Sequence, residues 1–391
     1  MSESRPPQRR VLHIIPDLGM GGAEHVLMYL ATLADSADFQ CHVLSLAGAT
    51  GSEIEKKLLE AGIEVTFLEK HRGFDVRMFW QIDRVLARLR PDVVHTHRHV
   101  LRYALPSLQC RGIHTIHTLH NMAERESDGV GKFVQALAFH AGVRPVAISP
   151  RVAESTERLY GLKRVACLPN AIPIEKYENN PVNGLAWRRE HGVETNEILI
   201  TVLGRLSEQK NPALAIRAFA GCGSTVTGRA HLAFAGDGPL LPSLRGLADE
   251  CRVEGRIKFL GVLKDVVPLL SASDVVVMCS DWEGTPLVVM EAMAEGVPVI
   301  ATDVGAVPIL IEHGTTGMIT PVRNCGALTY ALTLLCTNRH LRLRMGAAAH
   351  SVATCSFGIS PMVRAYEDLY RFVSDPPAST QAANAASMQS A

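Results

Sequence analysis

Val11-Leu12-His13-Ile14-Ile15-Pro16-Asp17-Leu18-Gly19-Met20-Gly21-Gly22-Ala23-Glu24 decides how this chain is built. Val11–Ile15 is a β-rich apolar run, and helical spacing through Val26, Leu27, Leu30 and Leu33 follows the glycines. A strand, a glycine loop and a helix in that order open a parallel sheet with crossover helices. The alternation predicts further strands at His42–Leu46, Glu64–Leu68, Asp92–His95, Ile113–Leu119, Pro145–Ile148 and Arg164–Leu168. It pauses across Pro169–Asn196, where Pro169, Pro173, Asn179, Asn180, Pro181 and Asn183 suit an interdomain connection. A second series is predicted at Ile198–Leu203, His231–Ala235, Arg256–Leu260, Asp274–Met278, Val297–Ala301 and Gly317–Thr320. The expected fold class is α/β, with two doubly wound halves. Open α/β sheets bind ligands beyond the carboxyl ends of their strands, so the chemistry is expected in a cleft between the halves.

Length and composition agree with two domains, since 391 residues exceed what one core usually serves. Lysine plus arginine equals aspartate plus glutamate at 39 each, so no broad footprint for nucleic acid is expected. No stretch approaches the roughly 18 apolar residues of a spanning helix, and the N-terminus lacks the apolar core of a secretory signal. The nine cysteines are scattered without a C-x-x-C pair, which argues against a disulfide framework or structural zinc and for a reducing cytoplasm.

Several loops carry candidate chemistry. The Gly19–Glu24 loop lets a backbone approach a phosphate. It is not the dinucleotide fingerprint, because the third glycine would fall at Glu24 and no acid closes the second strand. Arg205 and Lys210 lie between a strand end and a helix start, where two cations suit a diphosphate. Gly236-Asp237-Gly238-Pro239 and the run ending at Leu263 fall on the same strand edge. In Asp281–Ala294, Thr285 suits an N-cap and Pro286 the first helical position, with Gly296 and Pro298 as the stop. Glu283 would then precede that helix and Glu291 sit on its second turn, flanking the outward amides of Gly284–Leu287, an anion site.

Two histidine triplets, His95, His97 and His99, then His114, His117 and His120, invite a metal. Strand alternation is expected to split each triplet between faces, so no metal site is expected. His97 and His120 each close a strand and would point to the same cleft. Residues 71–111 hold eight arginines against three aspartates, and Phe79, Trp80, Ile82, Arg84, Leu86 and Arg88 form an amphipathic run that could touch an anionic membrane.

Taken in order, these segments resemble the retaining glycosyltransferases of family 4, with the GT-B fold of two Rossmann-like domains facing across a cleft. The likeness spans Val11 to about Val373. It rests on the Gly19–Glu24 loop, Thr118-Leu119-His120-Asn121, Ile148-Ser149, Leu168-Pro169-Asn170, Gly204-Arg205 with Lys210, Gly236–Pro239, and Glu283 to Glu291 with Gly296–Thr302. Residues 1–10 read as a flexible basic arm, and 374–391, rich in Ala, Ser, Pro and Gln, as a disordered tail. The resemblance implies an acceptor-side domain at 11–175, a donor-binding domain at 176–356 and a helix at 357–373 that crosses back to the first domain.

The same resemblance implies that Arg205 and Lys210 clamp the donor diphosphate, helped by the N–H groups of Gly21, Gly22, Gly284, Thr285 and Leu287, with Pro286 shaping that turn. Gly236 would border the donor, Leu263 meet the base through its backbone, and Glu291 hold the ribose. Glu283 would grip the transferred sugar. His120 would line the donor-sugar side, and His97 with His120 the acceptor side. No metal cofactor is implied; the co-substrate is a nucleotide-sugar, a UDP-sugar by frequency, and the acceptor a glycan or lipid-linked molecule. Ala171-Ile172-Pro173 after Asn170, and Thr285, depart from many relatives without removing a required charge. Other readings are an epimerase or hydrolase on the same donor site, a non-catalytic binding module, and a nicotinamide-dependent oxidoreductase, which the glycine spacing disfavours.

Overall fold

The computed structural model describes residues 8–177 and 181–375. The chain divides into two compact units, Met1–Pro169 with Ser360–Ala391, and Asn170–Ile359. The first unit holds a parallel sheet of β1 (Arg9–Ile15), β2 (Phe39–Ser45), β3 (Glu64–Phe67), β4 (Val93–His97), β5 (His114–Leu119), β6 (Arg144–Ala147) and β7 (Ala166–Cys167). Its order is β3-β2-β1-β4-β5-β6-β7. The second unit repeats the plan with β8 (Ile198–Leu203), β9 (Ala230–Ala235), β10 (Ile257–Gly261), β11 (Val275–Met278), β12 (Val299–Thr302) and β13 (Gly317–Thr320), ordered β10-β9-β8-β11-β12-β13. Strand order therefore reverses between β1 and β4, and again between β8 and β11. Those reversals are where such sheets open a crevice.

Alternation sorts the side chains of each sheet. In the first unit Leu12, Ile14, Leu44 and Val94 pack one face against Met78, Ile82 and Leu86 of the helix Arg77–Leu89. The opposite face carries His13, opposite His95 in register, and is covered by the helix Ile359–Ser374. That helix buries Met362, Val363, Tyr366, Tyr370 and Val373 at helical spacing. Tyr370 Oη lies 2.8 Å from His95 Nδ1, and Glu367 accepts from the Asp35 amide at 2.7 Å. The chain's last described helix is thus part of the unit in which the chain begins. In the second unit Ile200, Val202, Phe234 and Val277 join Phe219 and Leu332 in a core of their own.

Several expectations are corrected. Arg9 and Arg10 belong to β1, not to an arm, because the Arg9 amide donates to Asp38 O and the Arg10 amide to Asp92. Residues 1–7 of that arm and 376–391 of the tail lie outside the described residues, while Ser374 ends a helix. The expected connection at Pro169–Asn196 contains the helix Pro181–Glu190, whose Trp187 is buried in the second unit. A Cβ on Gly184 would stand 2.3 Å from Ser271 O, so that glycine permits the contact with the helix Val267–Ala272. The units change over at 169/170 and 359/360, whereas 175/176 and 356/357 were expected; Ile172 packs in the second unit and its amide donates to Phe357 O. β12 starts at Val299 rather than Val297, since Pro298 offers no N–H to the ladder.

Candidate active site

The carboxyl edge of the second sheet gathers most of the donor candidates. Gly204, at φ +136°, follows β8, and Gly236, at φ +138°, follows β9. A Cβ on Gly236 would lie 2.0 Å from Gly204 O, so only glycine allows these turns to meet. The Gly236 amide donates to Gly261 O at the end of β10, and the Leu206 amide to Asp237 O. These bonds tie three strand ends together beneath exposed Arg205 and half-buried Leu263.

Lys210 and Glu283 are brought into direct contact. The ammonium pairs with Glu283 Oε1, which also accepts from Ser280 Oγ at 2.7 Å. Glu283 is 7% exposed. The loop that holds it is pinned from both sides. Gln209 donates to Trp282 O, the Asp281 amide donates to Gln209 O, and Asn211 donates to Asp281 Oδ1. On the far side the Ala306 amide donates to Gly284 O, and a Cβ on Gly305 would come within 2.2 Å of that oxygen. A lysine and a buried carboxylate held by so many bonds are preorganised.

The helix after this loop spans Leu287–Ala294, one residue shorter at its start than expected. Pro286, with ψ 110°, is its cap, and no side chain caps it. Thr285 is therefore not the N-cap. The fixed φ of proline serves the boundary itself, and the Thr285 side chain is buried. Glu291 is half-buried on the second turn, and Gly296 at φ +75° ends the helix as read from sequence. The first-turn amides carry no capping side chain.

In the first unit the Gly21–Gly22 loop starts the helix Gly22–Leu33. The space beneath the loop is filled by the Glu24 carboxylate, since a Cβ on Gly21 would lie 2.3 Å from Glu24 Oε2. Burial raises the Glu24 carboxyl, and Arg98, 2.9 Å away, opposes the rise. Arg98, at φ +57°, also faces Asp17 at 3.8 Å. An acid of the chain thus already answers the positive end of this helix.

His97 and His120 are joined, with His97 Nδ1 3.0 Å from His120 Nε2. The expected splitting of the first triplet is wrong. His95 and His97 are two apart on β4 and share a face, and His13 from β1 joins them with its Nδ1 3.3 Å from His97 Nε2. The ring nitrogens of His13, His95 and His97 lie close enough to offer ligands to an ion. Both nitrogens of His95 are nevertheless engaged, by Tyr370 Oη at 2.8 Å and Thr118 Oγ1 at 2.7 Å. His99 lies on the turn after β4, and His117 faces Thr96 and Gln135. Burial drives the His13, His117 and His120 rings down to about 3, so they are neutral at pH 7.

Sequence reasoning missed His13, Arg98 and Glu126. A lone histidine inside Val11–Ile15 was the available signal for the first; nothing local marks the other two. Burial pushes the Glu126 carboxyl up to about 7, and the backbone amides of His120 and Asn121 and the Arg98 guanidinium oppose the rise. The arginine-rich region also differs from its reading. Arg77, Arg88, Arg98, Arg102 and Arg111 are ion-paired, three of them with Glu64, Glu24 and Asp128 from outside 71–111. Ile82 and Leu86 are buried, whereas Phe74 and Trp80 are 64% and 65% exposed.

Known proteins share this plan. The family of glycosyl transferases group 1 matches residues 185–352, and glycosyltransferase family 4 matches residues 20–176. The chain is 25% identical over 363 residues to the N-acetyl-alpha-D-glucosaminyl L-malate synthase of Bacillus anthracis, covering 83% of this chain and 93% of that one. It is 24% identical over 311 residues to the UDP-Gal:alpha-D-GlcNAc-diphosphoundecaprenol alpha-1,3-galactosyltransferase of Escherichia coli, covering 76% and 79%. The crystal structure of Anabaena HepE in complex with UDP and glucose superposes with a TM-score of 0.83 at 20% identity, covering 93% of this chain and 99% of that one. WaaG, a glycosyltransferase involved in lipopolysaccharide biosynthesis, superposes at 0.76 with 16% identity, covering 93% and 100%. With both halves matched in order on two doubly wound sheets, the chain is an enzyme of the GT-B fold and belongs to the family 4 glycosyltransferases.

Proposed function

We propose that the protein moves a hexose or N-acetylhexosamine, with retained anomeric configuration, from a nucleotide-diphosphate sugar to a glycan or lipid-linked acceptor in cell-surface polysaccharide or glycolipid biosynthesis. The observation that carries this reading is the Lys210–Glu283 pair beside the open start of the helix Leu287–Ala294. A diphosphate placed there meets Arg205, Lys210 and the N–H groups of Gly284, Thr285 and Leu287, while Glu283 is left to take a sugar hydroxyl. Leaving-group charge grows as the bond from the anomeric carbon to phosphate breaks, and two cations with a helix dipole offset it without a metal. The acceptor oxygen bonds to that carbon on the leaving-group face and its proton passes to the departing phosphate. Glu291 holds the ribose, the Leu263 backbone the base, His120 the sugar, and Gly21, Gly22 and Gly236 border the donor.

The names of the relatives support the choice of substrates. One acts with UDP-Gal on a diphosphoundecaprenol-linked sugar, another bears N-acetylglucosaminyl in its name, and HepE holds UDP with glucose. A UDP-sugar is therefore the first donor to try. Thermal-shift titration with UDP, GDP and ADP, then their sugars, should show stabilisation by one base series. NMR of the product should show the donor's anomeric configuration. No stabilisation by any nucleoside diphosphate would sink the donor site, and an inverted product would sink retention. Free sugar released at full rate without acceptor would favour a hydrolase.

No helix among the described residues is long and apolar enough to cross a membrane. We place the enzyme in the cytoplasm, touching the membrane face through exposed Phe74, Val76 and Trp80 in the basic 71–111 region. Flotation with neutral and anionic liposomes tests this, and no flotation with either ends it.

A further inference from the structure

We propose that His13 and His97 are positioning residues for His120, forming with it a relay of three neutral imidazoles that share one tautomer. This rests on the reading above that His120 lines the donor sugar. The contacts run His13 Nδ1 to His97 Nε2 at 3.3 Å and His97 Nδ1 to His120 Nε2 at 3.0 Å. Both terminal atoms of the chain, His13 Nε2 and His120 Nδ1, are out of solvent and without a hydrogen-bond partner. Three neutral rings carry three N–H groups, and the two contacts consume two of them. The third must sit at one end.

Only two arrangements satisfy both contacts. If His97 carries its proton on Nε2, it donates to His13 Nδ1, which forces the His13 proton onto Nε2. His97 Nδ1 then accepts from His120 Nε2–H, and His120 Nδ1 presents a lone pair. If His97 carries its proton on Nδ1, it donates to His120 Nε2 and accepts from His13 Nδ1–H. His120 Nδ1 then presents an N–H. All three rings are Nε2–H in the first state and Nδ1–H in the second. A sugar hydroxyl both donates and accepts, so His120 meets it in either sense without any change of charge. Charging a ring is not a third option, because burial lowers the affinity of all three for a second proton. His95, tilted by 35° against His97 with ring centroids 4.1 Å apart and bound to Tyr370 and Thr118, keeps the middle ring from turning.

The test is long-range nitrogen–proton NMR on the full chain labelled in its histidine rings. In the free protein the three residues should show the same protonated nitrogen; a mixed set overturns the relay. Addition of the stabilising nucleotide-sugar should move the His13 Nε2 signal together with His120 Nδ1. A His120 response with a silent His13 also overturns it. His97→Phe should abolish the His13 response while the thermal shift by nucleotide persists, and should lower kcat on the order of tenfold with donor KM changed less than about twofold. His97→Asn, which keeps an amide near the Nδ1 position, should recover part of kcat; equal loss in both variants argues for packing alone. Should His97→Phe fail to fold, the wild-type tautomers and the His13 response still decide. If donor binds and moves neither ring while the three tautomers match, it is His120 at the sugar that fails, and the relay in the free protein stands.

Discussion

The two units share one strand order yet fill their reversal points with opposite chemistry. At the β8/β11 reversal, Lys210 and Glu283 form an ion pair on loops pinned by Gln209, Asn211 and Gly305. At the β1/β4 reversal, buried His13 and His97 and half-buried His120 form a neutral set, and the charges there, Glu24 and Arg98, already answer each other. Fixed charges beside a free helix start offset charge that develops in a transition state. Neutral rings orient a hydroxyl at little desolvation cost. On the function proposed above, the second unit would serve the leaving group and the first the sugar.

That division is most easily broken at the ion pair. On the proposed function, Lys210→Ala would remove a leaving-group cation and strand a buried carboxylate, so kcat should fall by about 10²–10³ and donor affinity should weaken as well. Arg205→Ala, which alters an exposed side chain, should cost less, on the order of tenfold. Steady-state transfer kinetics with varied donor check both. If Lys210→Ala is harmless and His120→Ala is crippling, the assignment of charge work to the second unit is wrong.

Acid should separate the units next. His13, His117 and His120 are depressed from 6.5 to about 3 by burial. A depressed base contributes stability that is present above 6.5 and lost as pH falls toward 3, because the unfolded chain takes up protons first. Going from pH 6.5 to 5.5 should cost about 1 kcal/mol for each such ring. Glu126 runs the other way: raised from 4.5 to about 7, it contributes stability below 4.5 that is lost as pH rises through 7. Three rings outweigh one carboxyl, so hydrogen exchange at mildly acid pH should quicken in β1, β4 and β5 before β8 and β11. Equal loss in both sheets would remove the contrast.

Much of this was legible in the sequence, for identifiable reasons. Ile198–Leu203 and Gly317–Thr320 were read to the residue because turn signals border an apolar run. Glu283, Arg205 and Lys210 stand out because charges at strand ends and helix starts break a local pattern. What stayed hidden is long-range. Glu126 matters only because burial and two amides of the β5 loop meet its carboxylate. His13 reads as one polar residue in a strand until register places it opposite His95. The pairing of Lys210 with Glu283 spans 73 positions, and no spacing rule predicts it.

Glu126→Gln sharpens the acid argument on a smaller scale. The carboxamide keeps the size of the side chain and a polar oxygen, but it cannot ionise. Thermal melts should place the variant near wild type at pH 6 and above it at pH 8, where wild type carries a buried charge. A variant less stable at pH 8 would mean that the ionised carboxylate is needed there.

The smallest effect concerns the surface. Trp80 and Phe133 are 65% and 72% exposed, so replacing either by alanine should change stability by less than about 0.5 kcal/mol. Their cost should appear only on lipid: the Trp80→Ala variant should float less with anionic liposomes, while transfer to a short soluble acceptor stays unchanged. The ion pairing of Arg77, Arg88, Arg98, Arg102 and Arg111 leaves little free positive charge in that region. Salt should accordingly weaken flotation only slightly if aromatic insertion dominates. Flotation abolished by moderate salt and indifferent to Trp80 would transfer the role to cations such as exposed Arg72.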